Sequence, residues 1–329
     1  MADTLRFIRA DTVPVATDRK GRRDDPRMAS RMVSLADEPK RDKVHAIVLG
    51  VADDRGVHLN GGRLGAADGP ARFRDYFGRL PAPAEFGPHS VLNAGDLMPA
   101  ESTNETHARL AEVVFVLRER FPLARLVVVG GGHDHAYGEV LGLARSVAAL
   151  DREAKVAVLN VDAHADVRPH HGEPHSGTPF RRILTEPATR VAAGSLVEWG
   201  LQHACNATAH LQYLQQQGAR VVFWEDIDGS DTIAGAQLLA LLTELATGHA
   251  GLSLSVDMDA FAQAVSPGVS APSPLGVPAG AVVRAAAVLG SLPTSTQLGI
   301  YELNPRFDQD GASARLAARL AWSYVTGLV

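Results

Sequence analysis

A single α/β domain with a mostly parallel, roughly eight-stranded sheet flanked by helices is the fold class this sequence predicts, on three observations. Short apolar runs of strand length recur from Val44 to the end of the chain. Segments with helical spacing separate most of them. The strand runs are continuously apolar rather than alternating, which is the pattern of a sheet buried on both faces, as parallel sheets are.

In chain order, residues 1–43 are charged and aperiodic, and "TDRKGRRDDPR" reads as a solvated arm or a peripheral wrap. The compact domain is expected over 44–329. Its strand candidates begin with "VHAIVLGV" and "SVLNAG", followed by the helical pattern of "THARLAEVVFVLRERF". The strand "RLVVVGG" leads through glycines 130–132 into the helix "HAYGEVLGLARSVAAL", the glycines permitting a sharp turn. "KVAVLNV", "RVAAGSL" and "RVVFW" are the next strands, then the helix "AGAQLLALLTELATG" and the strands "GLSLSVD" and "STQLGIY". The helix "GASARLAARLAWSYV" closes the chain. No internal repeat or low-complexity segment interrupts this alternation.

Composition narrows the function. The 329 residues are 46% hydrophobic and 21% charged, with a net charge of -5. That balance gives no general attraction to nucleic acid or anionic membrane, and a small polar ligand fits better. One cysteine, Cys205, excludes an internal disulfide framework and is compatible with a reducing compartment. The amino terminus lacks the continuous apolar core of a signal peptide, and no apolar run is long enough to span a bilayer. A cytoplasmic protein is expected.

Ligands in such folds gather at the carboxyl edge of the sheet. Three strand runs end there in ionisable clusters: His133, Asp134 and His135 after "RLVVVGGG", Asp162, His164 and Asp166 in "NVDAHADVRP", and Asp257 and Asp259 in "SVDMDAF". Residues two apart on a strand or its extension project to one side, so the members of each cluster can converge. Taken singly, an Asp after a strand is a helix cap or turn residue and a His a hydrogen-bonded structural group. Taken together, five carboxylates and two or three imidazoles at a buried edge need something cationic to neutralise them. A divalent metal does so. The absence of thiolates argues against structural zinc, and carboxylates with imidazoles suit hard or borderline ions such as Mn²⁺. More than four such ligands make two ions more plausible than one, a pair that activates water near neutral pH.

These clusters, in this order and on these elements, resemble the ureohydrolase family of arginase, agmatinase and formimidoylglutamase. The resemblance runs from about Val44 to the end and includes "GPARFR", "NAGD" and "ELNPRFD". It implies the arginase-like fold and a binuclear centre of two Mn²⁺ ions, other divalent metals being possible. One ion would take His133, Asp162, Asp166 and Asp257, the other His164, Asp162, Asp257 and Asp259, with Asp162 and Asp257 as bridges. His135 is left to pack or hydrogen bond. The family also implies a homo-oligomer, a trimer or hexamer.

Within the family, the loop "RPHHGEPHSGTPFRRIL" is most similar to formimidoylglutamase, through Ser176, Gly177 and Thr178, as are "DVR", the triple glycine before His133 and "SPGVSAPSPLG". The resemblance therefore implies hydrolysis of N-formimidoyl-L-glutamate to L-glutamate and formamide, a step of histidine degradation. Asp166 would orient the nucleophile and pass on its proton, and Glu302 would face the cationic amidine. Arg168 would grip the amino-acid end, with Ser176, Thr178, Asn60 and Arg63 as further substrate contacts. His175, one position before Ser176, could supply the imidazole that arginases and agmatinases carry in this loop. The alternatives are a guanidino-substrate hydrolase of arginase, agmatinase or guanidino-acid type, and a metal-binding scaffold without turnover.

Overall fold

The computed structural model describes residues 4–9 and 25–329. In chain order its strands are β1 (Ile8–Arg9), β2 (Met32–Ser34), β3 (Ala46–Val51), β4 (Val91–Leu97), β5 (Arg125–Val129), β6 (Val156–Val161), β7 (Leu196–Leu201), β8 (Arg220–Phe223), β9 (Gly251–Asp257) and β10 (Ser295–Tyr301). Its α-helices are α1 (Arg55–Leu59), α2 (Gly69–Phe77), α3 (Thr103–Arg120), α4 (Ala136–Leu150), α5 (Pro179–Thr185), α6 (Thr208–Gln216), α7 (Asp231–Gly248), α8 (Ala279–Leu289) and α9 (Ala312–Thr326).

All ten strands join one sheet in the order β1-β4-β3-β5-β10-β9-β6-β7-β8, with β2 also on β4. The eight strands from β3 to β10 pair in parallel throughout. β3, β6 and β9 are buried at every position, which is why their sequences are mostly apolar and lack a polar face of charged residues. One face of the sheet packs on α2, α7, α8 and α9, and the other on α3, α4 and α5.

The run "RVAAGSL" is not itself a strand. β7 starts at Leu196 and continues through the buried Trp199, and the residues before it form a turn around Gly194, which has φ +77°. The polar arm also adds to the sheet: β1 lies antiparallel to β4, β2 lies parallel to it, and Met28 and Val33 are buried. Residues 17–24 of "TDRKGRRDDPR" lie outside the described residues.

The motifs "GPARFR" and "NAGD" meet away from the clusters. Arg74 of "GPARFR" reaches from α2 to Asp96 of "NAGD" on β4 at 2.7 Å and donates to the Gly95 carbonyl at 2.7 Å. The guanidinium is buried. Removing one partner of a buried pair typically costs ~3–5 kcal/mol, so these residues hold α2 on the sheet.

The topology also decides where a ligand can sit. From β5 the chain runs through α4 to β6, but β10 and β9 occupy the two positions between them. Such a jump opens a crevice at the carboxyl ends of the strands. Four adjacent strands, β5, β10, β9 and β6, end there.

Candidate metal centre and substrate cavity

The four strand ends deliver His133, Asp162, His164, Asp166, Asp257, Asp259 and Glu302 to one place. The Tyr301↔Asp257 and Val161↔Val256 pairings put the ends of β10, β9 and β6 level with one another. Glycines 130–132 carry β5 into the turn at His133. None of the three has a positive φ; they are needed for close approach. A Cβ on Gly131 would lie 2.0 Å from the Asp53 carbonyl oxygen, and one on Gly130 would lie 2.3 Å from the Tyr301 ring. Backbone and ring press into the space where side chains would stand.

His133 is fully buried, with Nδ1 3.1 Å from Asp162 Oδ2, 3.2 Å from Asp166 Oδ2 and 3.0 Å from Asp257 Oδ2. No hydrogen bond satisfies this nitrogen. Its Nε2 lies 2.8 Å from Ser255 Oγ, and Tyr301 stacks on the ring at 5.0 Å. With Nε2–H donating to Ser255, the Nδ1 lone pair points at three carboxylates, an arrangement that calls for a cation between them. Burial alone would lower the His133 pKa, but Asp162, Asp166 and Asp257 raise it well above the ordinary value. The three carboxylates favour positive charge at this position even where burial opposes it.

A second group shares Asp162. Its Oδ1 lies 3.6 Å from His164 Nδ1, which is 3.4 Å from Asp259 Oδ1. Asp259 Oδ1 is buried without a hydrogen-bond partner. The acids feel one another: burial raises the pKa of Asp257, with Asp259 and Asp162 adding to it, and burial pushes Asp259 up to about 7 against the pull of His164. Thus His133, Asp162, Asp166 and Asp257 could hold one ion and Asp162, His164 and Asp259 another. Asp162 is common to both sets. Asp257 contributes Oδ2 to the first and directs Oδ1 to the Asp259 amide at 2.8 Å. The donors are one imidazole and several carboxylate oxygens in each set, which fits hard or borderline divalent ions.

His135 belongs to neither group. Its Nδ1 bonds the Gly132 carbonyl at 2.9 Å, and it packs beside the buried His107–Asp134 pair. Those three residues are also close enough to hold a metal. Both ring nitrogens of His107 are occupied, however, Nε2 by Asp134 at 2.7 Å and Nδ1 by Arg182 at 2.6 Å.

A cavity of about 250 Å³ opens onto the second group. His164, Asp166, Asp257, Asp259 and Glu302 form its acidic floor, and His133 and Asp162 lie beneath the lining. Asp166 and Glu302 both have left-handed backbones, φ 44° and 62°. Strained φ values in non-glycine residues gather at functional sites, and the surrounding structure must hold them. For Glu302 it does: Oε1 accepts the His133 amide at 2.9 Å and Oε2 accepts the Ser270 hydroxyl.

The rim is formed by loops. Asn60, Arg63, Arg168 and Ser176 line the cavity, whereas His175 and Thr178 do not. His175 Nδ1 is turned back onto the Gly177 amide at 3.2 Å, and the buried Thr178 hydroxyl donates to the His175 carbonyl at 2.8 Å. These two residues shape their own loop, because Ser-Gly-Thr closes a turn that points them inward to it. Asn60 donates to Ser176 Oγ at 3.0 Å. Arg63 is committed to the Val269 carbonyl at 2.6 Å and stacks on Phe307 at 3.9 Å. Arg168 is exposed, and among the described residues its guanidinium has no ion-pair partner.

Several residues of the site were not singled out from the sequence. Ser255 was visible as a serine two places before Asp257 on β9, a strand that also carries Ser253. Asn160 and Glu198 were not: Asn160 links Asp162 Oδ2 at 3.4 Å to Glu198 Oε2 at 2.8 Å across β6 and β7. Asn206 ties the Ala165 amide and the Ala163 carbonyl, at 2.8 and 2.9 Å, and so fixes the loop of the second cluster.

Comparison with known proteins agrees with this geometry. The family model "Arginase family" matches residues 44–327. A formimidoylglutamase of Rhodococcus jostii is 34% identical over 283 residues, 85% of this chain and 85% of the relative. One of Geobacillus thermodenitrificans is 34% identical over 277 residues, 83% and 81% of the two chains. Among solved structures, Trypanosoma cruzi formiminoglutamase with Mn2+2 superposes with a TM-score of 0.76 at 29% identity, covering 92% of this chain and 98% of that one. The Bacillus subtilis formimidoylglutamase, at 21% identity, shares the fold with a TM-score of 0.81 over 99% and 97%. The chain belongs to the arginase family, and its fold is the single α/β domain of that family.

Proposed function

We propose that this protein hydrolyses N-formimidoyl-L-glutamate to L-glutamate and formamide at two Mn²⁺ ions. The observation that carries the reading is the polarity of one cavity: an acidic floor below, and at the rim the guanidinium of Arg168, without an ion-pair partner among the described residues. That polarity fits a substrate with an amidinium at one end and carboxylate at the other. The names of the relatives point the same way.

His133, Asp162, Asp166 and Asp257 would hold one ion, and Asp162, His164, Asp257 and Asp259 the other. When bound, such a pair supplies an activated water at neutral pH and Lewis acidity. The protein does the rest. Ser255 fixes the His133 tautomer, and Glu302 faces the amidinium while its Ser270 and His133 contacts hold it in place. Asp166 has Oδ2 toward His133, which leaves Oδ1 to orient the nucleophile, take its proton and deliver it to the leaving nitrogen. Water adds to the amidine carbon, the carbon–nitrogen bond to glutamate breaks, and the proton ends on the amine.

We read residues 1–43 as an arm appended to a catalytic domain of 44–329, in a cytoplasmic homo-oligomer. No helix among the described residues is long and apolar enough to cross a membrane. The decisive assay incubates Mn²⁺-loaded protein separately with formimidoyl-glutamate, arginine and agmatine, and measures formamide and urea. Formamide from the first substrate alone is expected. Urea as the main product would move the protein to the guanidino-substrate hydrolases.

A further inference from the structure

We propose that His210 is a substrate-binding residue, which together with Arg168 forms a two-point recognition site for a dicarboxylate, each side chain holding one carboxylate. The inference rests on the proposed hydrolysis of N-formimidoyl-L-glutamate, whose two carboxylates need two partners, while Arg168 supplies one.

The structure narrows the second partner by what its cationic side chains already do. Arg63 lines the cavity but is spent on the Val269 and Ser270 carbonyls, at 2.6 and 3.3 Å, and on the Phe307 ring. Arg181 does not line the cavity; it donates to the Val167 carbonyl at 2.7 Å and lies 3.6 Å over Tyr213. His210 remains. It sits in the first turn of α6 and lines the cavity together with Cys205 and Asn206, which lead into that helix. Among the described residues its imidazole makes no hydrogen bond, and neither does the Arg168 guanidinium.

Three further facts favour an anion there. No carboxylate among the described residues pairs with Arg168 or His210, and the Arg168 guanidinium brings positive charge to this side of the cavity. Burial first, then Arg168 and Arg181, lower the His210 pKa, which places the imidazole within the field of both guanidinium groups. A neutral imidazole still donates one N–H. The amino terminus of α6, whose first turn carries His210, has no side-chain cap and bears the partial positive charge of a helix start. A carboxylate left without a partner in such a cavity would lose its hydration for nothing in return.

The test uses full-length, Mn²⁺-loaded protein and three substrates: formimidoyl-glutamate and two analogues that each lack one carboxylate, formimidoyl-glutamine and formimidoyl-4-aminobutyrate. His210→Ala should raise KM for formimidoyl-glutamate about tenfold, the scale of one hydrogen bond to a charged group, with kcat and metal content little changed. His210→Gln, which keeps an N–H donor, should recover part of the loss. For one of the two analogues, the one missing the carboxylate that His210 holds, the substitution should leave KM unchanged. An unchanged KM for formimidoyl-glutamate overturns the proposal, as does an equal rise for all three substrates. Calorimetric binding of glutarate separates this from a failure of the proposed function. If no formimidoyl compound is hydrolysed but glutarate binds wild type more tightly than His210→Ala, the dicarboxylate site stands without that substrate. Equal binding to both proteins overturns it.

Discussion

At the floor of the cavity, four neighbouring strands end level with one another and each contributes an ionisable side chain within one residue or a short turn of the sheet. At the rim, the lining comes from loops that approach one another from distant parts of the chain, at 60–63, 168–176, 205–210 and 270–271. The floor groups are buried except for the half-buried His164 and Asp166, and meet at 3.0–3.6 Å. Apart from the buried Ser176, the rim groups are half-buried or exposed, and several are spoken for by other loops. The difference is one of tolerance. Removing a floor residue leaves buried charge without its counterpart, whereas removing a rim residue leaves a space that water can fill.

The largest effect is therefore expected where one floor residue serves both groups. Asp162→Ala should abolish turnover and lower bound metal, since its two oxygens face His133 and His164 separately. Asp257→Ala should do the same if it bridges. Its Oδ1 is turned to the Asp259 amide, so retention of one ion in that variant, against none in Asp162→Ala, would show that Asp162 alone is shared. Elemental analysis beside the rate distinguishes the two. Glu302→Gln comes next. Glutamine keeps an oxygen for the His133 amide, so metal content should hold while charge opposite the amidinium is lost and KM rises. Unchanged kinetics would assign the amidinium to another acid of the floor.

Crossing to the rim, Arg168→Ala should reduce kcat/KM roughly ten- to a hundredfold by removing a charge-assisted contact. Metal content should stay the same. Arg168→Lys should recover only part, because an ammonium cannot reproduce a two-pronged guanidinium contact. Free formamidine, which has no carboxylate, should be hydrolysed poorly and equally by all three proteins. A selective loss with formamidine would mean that Arg168 acts on the floor and not on the substrate's far end.

The same contrast explains what could be read from the sequence. The eight parallel strands and the three clusters were legible because burial on both faces leaves unbroken apolar runs, and a charge at the end of such a run stands out. The clusters converge because β10 and β9 intervene between β5 and β6, an order that local periodicity does not encode. Glu198 illustrates the limit. It lies fully buried in the middle of β7, and among the described residues the side-chain amide of Asn160 on the neighbouring strand is its one hydrogen-bond partner. The rim was less legible still. "HSGTP" marked the correct loop, yet which of its side chains enter the cavity depends on a turn closed by the Arg168 amide on the Gly177 carbonyl at 2.8 Å. β7 was placed a few residues early because "RVAAG" is apolar enough for a strand while Gly194, with φ +77°, makes it a turn.

Ser255 offers a way to sharpen the comparison from below the floor. Its hydroxyl touches His133 Nε2 and nothing in the cavity, so Ser255→Ala removes the group that selects the tautomer and leaves the metal-facing side chains in place. Loss of such a supporting contact typically weakens metal affinity about tenfold or somewhat more. Titration of the metal-free protein with Mn²⁺ should show that shift, with kcat recovered at saturating metal. A fall in kcat that excess Mn²⁺ does not restore would show that Ser255 does more than orient the ring.

The smallest effect is expected at His175, and it is the sharpest test of where the floor ends. If this imidazole served the reaction as the loop histidine of arginases and agmatinases, His175→Ala would cost as much as a floor residue. The structure turns it away: Nδ1 accepts the Gly177 amide, the ring is half-buried against its own loop, and the cavity is lined by Ser176 instead. Burial and then the Arg168 charge lower its pKa, which disfavours a protonated imidazole there. The substitution should then change kcat/KM by no more than about twofold, the usual range for a residue whose contacts are local. A slight fall in thermal stability should accompany it, from the lost contact to the loop. Steady-state kinetics with formimidoyl-glutamate across a range of pH decides the matter. A large loss of kcat in His175→Ala, with metal content intact, would place this residue in the reaction and require the 173–178 loop to reorganise when substrate binds.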